Sequence, residues 1–290
     1  MAEILNLHHE TNGEDEDKPW VIAEHIFKII NDYLQPSNTL SATEAAQKID
    51  AQFPNNRPDV AGEEKETAGS FLAEFWDTVV MIAQQIPAQH PAQDKLVGLL
   101  KALSELPTDL KVDIWGSDCR VWQDLPLIGV HMVEAENYIS EEDEPEKWKN
   151  FNAFCARLTR DGICDMSLMG THTLSSALEE EPDSRSRAYQ TYGETFAREI
   201  PVAELWISIA GKAMFQRCRG DVDTEDLKDG CAGHLWKNKP LGLSIERWDF
   251  WKERFGAISA HPVADEPTKE VASKAHDAMN TIQSQAAVAV

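Results

Sequence analysis

Apolar residues recur at three- and four-residue steps through most of this chain, so it is built to pack helices on helices. From Trp20 the series Val21, Ile22, Ile26, Ile29, Ile30, Tyr33 and Leu34 forms one helical stripe, which Pro36 ends. Ser41 and Glu44 form a capping-box pattern that opens a short helix to about Phe53. A long helix is predicted over about 65–86, with Phe71, Leu72, Phe75, Trp76, Val79, Val80 and Ile82 facing inward and Pro87 as its stop. Leu96–Leu106, Val130–Ser140, Trp148–Thr159, Leu168–Glu181 and Pro201–Arg219 repeat the period, the last with proline in its first turn. Ser244 is the N-cap of a further helix, and 268–285 is a weakly amphipathic one. Few alternating strand patterns occur, no Asn-Gly or Asp-Gly joins two apolar runs, and no repeat is visible. Trp115–Gly129 reads as an ordered loop packed by tryptophans. The expected fold class is therefore all-α, a single helical domain of about eight to ten helices over 19–256. An acidic disordered tail over 1–18 precedes it, and a loop with a loosely docked helix over 257–290 follows.

Charge narrows the partners. The 290 residues carry a formal net charge of −23, so no basic stripe is present to neutralise nucleic-acid phosphates or meet an anionic membrane. No run approaches the roughly 18 apolar residues needed to span a bilayer. Residues 1–17 lack the basic and apolar regions of a signal peptide. Five cysteines, with no CxxC pair, read as free thiols in a reducing compartment. These features point to a cytoplasmic protein.

Common catalytic signatures are missing. There is no GxSxG, P-loop, GxGxxG or HExxH, and no DDxxD of the ordinary isoprenoid synthases. Attention falls instead on Gly233–Phe255, which gathers five cations (Lys237, Lys239, Arg247, Lys252, Arg254) and three tryptophans in an acidic protein. Such a segment suits a small anion with an apolar body. On its helix Ile245, Trp248, Trp251, Lys252 and Phe255 share one face, with Lys252 near the centre. An ammonium there either holds a ligand, pairs with a carboxylate or snorkels past the rings to water.

Three further polar residues fall on or beside apolar faces. Asn152 lies among Trp148, Phe151, Cys155 and Leu158, and either ties down a neighbouring backbone or offers an oxygen to Mg²⁺. Glu179 shares a strip with Leu168, His172 and Ser175, a strip turned either inward or to water. Asp165 caps the following helix or joins a metal site. Trp248 and Trp251 beside Lys252 are placed to shield a carbocation with their ring faces, if they line a cavity rather than pack a core.

The blocks WQDLP (Trp122–Pro126), WKNFNAFCARLT (Trp148–Thr159), SSALEEE (Ser175–Glu181) and LWKNKPLGLSIERWDFWKERF (Leu235–Phe255) together resemble a family of fungal helical proteins known as a domain of unknown function. The chain is also similar to the non-canonical fungal humulene-type sesquiterpene cyclases of secondary metabolism. Those enzymes lack the aspartate motif, bind farnesyl diphosphate with a pair of Mg²⁺ ions and need a lysine close to the diphosphate. That likeness implies Lys252 as the diphosphate lysine and Trp248, one turn earlier, as the residue that shapes the product. A small aliphatic residue or Met is the expected occupant of that second position.

Two functions follow. The first is a Mg²⁺-dependent sesquiterpene cyclase, with Lys252, Trp248 and Trp251 at the reacting centre, Arg247, Lys239 and Lys237 on the diphosphate, and Asn152, Glu179 and Asp165 at the metal. The second is a non-enzymatic ligand-binding or protein-interaction domain, in which the tryptophans are core and the cations pair with Glu246, Asp249 and Glu253.

Overall fold

A computed structural model describes residues 4–9, 21–59, 64–139, 141–220 and 231–288. The fold class is all-α, as the periodicity requires. Among the described residues there are ten α-helices and one two-stranded sheet. The chain forms two compact units, Met1–Phe154 and Cys155–Val290.

The first unit holds α1 (Val21–Leu34), α2 (Ala42–Asp50), α3 (Ala68–Gln85), α4 (Ala92–Ser104), the hairpin β1 (Lys111–Ile114) and β2 (Ser117–Arg120), α5 (Ile128–Tyr138) and the start of α6 (Pro145–Asp161). The Ser41–Glu44 capping box is formed in both directions. Helices α1, α2, α3 and α4 pack on one another, and α5 lies on α3. Their core is aromatic. Phe53, Phe71, Phe75 and Trp122 meet edge to face, with Phe75 and Trp122 centroids 5.5 Å apart. The indole of Trp76 donates to the Pro126 carbonyl at 2.7 Å, and that of Trp122 donates to Asp50 Oδ1 at 2.6 Å, so each buried ring finds its acceptor.

The hairpin departs from the expected loop over Trp115–Gly129. Lys111–Arg120 alternates only partly between polar and apolar, and its turn is Trp115-Gly116 rather than Asn-Gly, so the usual signal is missing. Part of the expected disordered tail is also ordered. Leu5 and Leu7 are buried, and the His8 backbone exchanges hydrogen bonds with the Gln85 side chain at 2.8 Å in both directions. Residues 10–18 of that tail lie outside the described residues.

The second unit holds α7 (Ser167–Leu178), α8 (Tyr192–Cys218), α9 (Ile245–Ile258) and α10 (Glu266–Val288). Helix α8 begins nine residues before the expected Pro201, which sits inside it. Pro201 removes one helical N–H, yet the Ala197 residue whose carbonyl loses its donor is exposed, so water can take its place. Buried Phe196 and Ile200 before the proline, and Val202 and Ala203 after it, hold the helix on its neighbours. Helix α10, expected to be loosely docked, packs along α8 and α9 and buries Ala272, Ala275 and Met279. Gly170 allows close approach of Trp206, since a Cβ there would sit 2.7 Å from the ring.

Candidate functional site

The cation- and tryptophan-rich segment folds around a carboxylate. Ser244 caps α9 by accepting from the Arg247 N–H, and the helix buries Arg247, Trp248, Trp251, Phe255 and Ile258. Glu179 follows the last turn of α7 with its side chain 0% exposed, as is that of Arg247. Its Oε1 accepts from Arg247 Nε at 2.8 Å and from the Trp251 indole at 2.7 Å. Its Oε2 accepts from Ser175 Oγ at 2.7 Å, the Gly233 N–H at 3.0 Å and Arg247 Nη2 at 3.1 Å. Arg247 also donates to the carbonyls of Leu241 and, at 2.7 Å, Cys231. Its guanidinium lies 5.1 Å from the Trp251 ring and 5.8 Å from that of Trp236. Gly233 is obligatory here, because a Cβ would stand 2.4 Å from the Glu179 carbonyl oxygen. The cluster is a saturated buried ion pair that holds 231–241 onto α7 and α9.

The other expected site residues are distributed around this cluster. Lys252 sits at the edge of the apolar stripe rather than its centre. Its side chain is 21% exposed, and its amine meets Gln283 Oε1 at 2.5 Å and Asp249 Oδ1 at 3.2 Å. Ile245 had drawn the expected stripe toward Lys252, but Ile245 is 39% exposed and Arg247 takes the inner position. Trp248 packs on Phe215 with centroids 5.1 Å apart. Lys239 pairs with Glu246 at 2.8 Å and stands over the Trp236 ring at 4.2 Å, at the surface; Lys237 is exposed.

The residues read as Mg²⁺ ligands are each engaged by protein partners. Glu179 spends both oxygens on five donors. Asp165 precedes the N-cap Met166 of α7 rather than capping the helix itself; it accepts the Ser167 N–H at 2.9 Å and pairs with Arg217 at 2.7 Å. Burial pushes the Asp165 carboxyl up, but hydrogen bonds from Ser167 and Arg217 outweigh it and hold the pKa below the ordinary value. Asn152 donates to the Trp148 carbonyl of its own helix at 3.0 Å, and it belongs to the first unit while both carboxylates belong to the second. Among the described residues no group of three or more His, Cys, Asp or Glu is placed to hold a metal ion.

A different place in the first unit is open to a ligand. A cleft of about 610 Å³ lies among the first turn of α3, the hairpin and α5, lined by Ala73, Val112, Ile114, Trp115, Leu127 and Val130, with Asp113, His131 and Glu134 as its titratable residues. Register pairs Ile114 with Ser117, so Trp115 and Gly116 form the two-residue turn, with φ of 53° and 82°. Asp113 Oδ1 accepts the Gly116 N–H at 3.1 Å and stiffens it. Trp115 is 79% exposed. Val130 is also exposed, and farther along α5 so are Val133 and Tyr138. His131 Nδ1 lies 2.8 Å from Asp77 Oδ1, which orients the ring on the cleft wall. Sequence reasoning placed Trp115 in a packed loop; the signal it passed over was the Trp-Gly pair flanked by Val112 and Ile114.

The family profile described as Protein of unknown function (DUF3632) matches residues 76–255. No curated protein and no solved structure matches the chain. Among the described residues no helix is long and apolar enough to cross a membrane.

Proposed function

For this chain, a member of the DUF3632 family of proteins of unknown function, we propose the role of an interaction domain that grips a partner through the Trp115 cleft. One observation carries the reading. Trp115 makes two locally unfavourable choices at once, a left-handed backbone and an exposed indole. The first costs about 1–2 kcal/mol for a residue other than glycine, and asparagine or glycine would avoid it. The second leaves on the surface a large ring of the type that anchors interfaces. The two-residue turn demands the left-handed backbone and Asp113 holds it, so what remains for a partner to cover is the ring. Val130 on the cleft wall and Tyr138, two turns and about 12 Å farther along α5, are exposed as well.

Selection from a phage-displayed library of random dodecapeptides tests this. Peptides selected on the wild-type protein should bind Trp115→Ala roughly thirtyfold more weakly, the loss of an anchor worth about 2 kcal/mol. A selected pool that binds both proteins equally refutes the reading.

A second reading is the Mg²⁺-dependent sesquiterpene cyclase. What supports it is Lys252, whose side chain stays 21% exposed at the seam of α9 and α10. Trp248, Trp251 and the buried Arg247 are core in that neighbourhood, so this reading needs the substrate at the edge of α9 rather than beneath it. Incubation with Mg²⁺ and farnesyl diphosphate decides it. A hydrocarbon product that Lys252→Ala abolishes establishes the cyclase; an extract without product from folded protein removes it.

A further inference from the structure

We infer that the occupant of the Trp115 cleft is a basic peptide segment of a partner protein, one that sets an arginine or lysine between Asp113 and Glu134 with apolar neighbours beside it. This rests on the interaction reading above and names the partner's chemistry. The described residues lining the cleft include two carboxylates, one histidine held by Asp77, and no lysine or arginine. An acidic peptide entering it would desolvate its charges against like charges, and a basic one would find opposite charges waiting. One Asp113 oxygen is taken by the Gly116 N–H, and a carboxylate accepts more hydrogen bonds than that one. The Trp115 face offers a guanidinium or ammonium a cation–π contact at the mouth of the cleft.

Shape favours a polypeptide over a small amine. The exposed Tyr138 stands two turns beyond Val130 on α5, about 12 Å along the helix and outside the cleft lining, farther than a small amine reaches. The first turn of α3, which contributes Ala68 and Gly69 to the wall, carries N–H groups that no helical carbonyl can satisfy. An extended peptide brings carbonyl oxygens for such donors beside its basic side chain.

Sequencing the peptides selected on the wild-type protein, then measuring one of them against variants, tests the inference. The pool should be enriched in Arg and Lys next to Leu, Ile or Phe. A labelled representative should bind Asp113→Asn/Glu134→Gln at least tenfold more weakly by fluorescence anisotropy. Its twin with glutamate in place of each basic residue should not bind. General attraction to an acidic protein predicts otherwise, because that variant removes only two negative charges from a net −23 and would leave affinity nearly unchanged. Equal binding to the variant, or a Trp115-dependent pool without basic enrichment, overturns the inference while leaving the interaction reading intact. A pool that ignores Trp115→Ala overturns both. Circular dichroism of each variant guards against misfolding, and Lys111→Ala, outside the cleft lining, should bind as wild type.

Discussion

Replacing Glu179 by Gln keeps its shape and removes its charge, so the damage reads out the buried ion pair. The carboxylate accepts five hydrogen bonds, two on one oxygen and three on the other. A glutamine has one accepting oxygen, and its amide nitrogen must face the donors on the opposite side. At least two buried donors lose their acceptor, at about 1–3 kcal/mol each. Arg247 is left charged with no exposure to water, a situation that alone costs about 3–5 kcal/mol. The terms overlap, and we expect about 4 kcal/mol, a large share of the roughly 5–15 kcal/mol that holds a typical domain together. Urea unfolding followed by circular dichroism should show the midpoint moving down by roughly 2 M, for a slope of about 2 kcal/mol per molar. Arg247→Met should cost a similar amount, because it strands the Glu179 charge and the Leu241 and Cys231 carbonyls. The double variant buries no ion, so its loss should fall short of the sum by at least about 2 kcal/mol. A Glu179→Gln protein within about 1 kcal/mol of wild type, or strictly additive losses, would refute the assignment of this pair as the clamp.

Other outcomes follow from the same geometry. Trp115→Asn should raise stability by up to about 1 kcal/mol, since asparagine tolerates the left-handed turn, while weakening peptide binding as much as Trp115→Ala does; thermal melts and anisotropy measure the two halves. Asp165 has a folded pKa below its unfolded value, so its contribution is present above pH ~4 and fades as pH falls through the folded value. The gap in urea midpoint between wild type and Asp165→Asn should accordingly be widest near neutrality and close in acid. Burial pushes the Cys218 thiol to about 12 and the Cys164 thiol to about 11, whereas Cys231 is exposed. Alkylation at pH 8 with peptide mapping should therefore mark Cys231 first, Cys164 more slowly, and Cys218 only in urea.

The helices were legible because their cause is local. The stripe of α1, the capping box of α2 and the serine cap of α9 are each set by residues within a turn or two. The candidate sites were not, for two separate reasons. On α9 the apolar residues alone centre the stripe on Trp248, with Lys252 about 45° to one side. Adding Arg247 and Ile258 and dropping the exposed Ile245 turns it by about 50°, which leaves Lys252 at its edge. Nothing in the helix itself announces that arginine goes inward; the reason is Glu179, 68 residues away. At the hairpin, the turn pair is unusual chemistry for its conformation, and turn propensity has no term for a ring kept for something outside the chain.

The pairing of Gly233 with Glu179 has a consequence for transplanting this part of the molecule. Residues 231–241 owe their path to a side chain some fifty positions upstream and to a glycine that leaves room for it. A synthetic fragment covering 231–258 would carry every aromatic ring and every cation of that block, and still lack the template that gives them their arrangement.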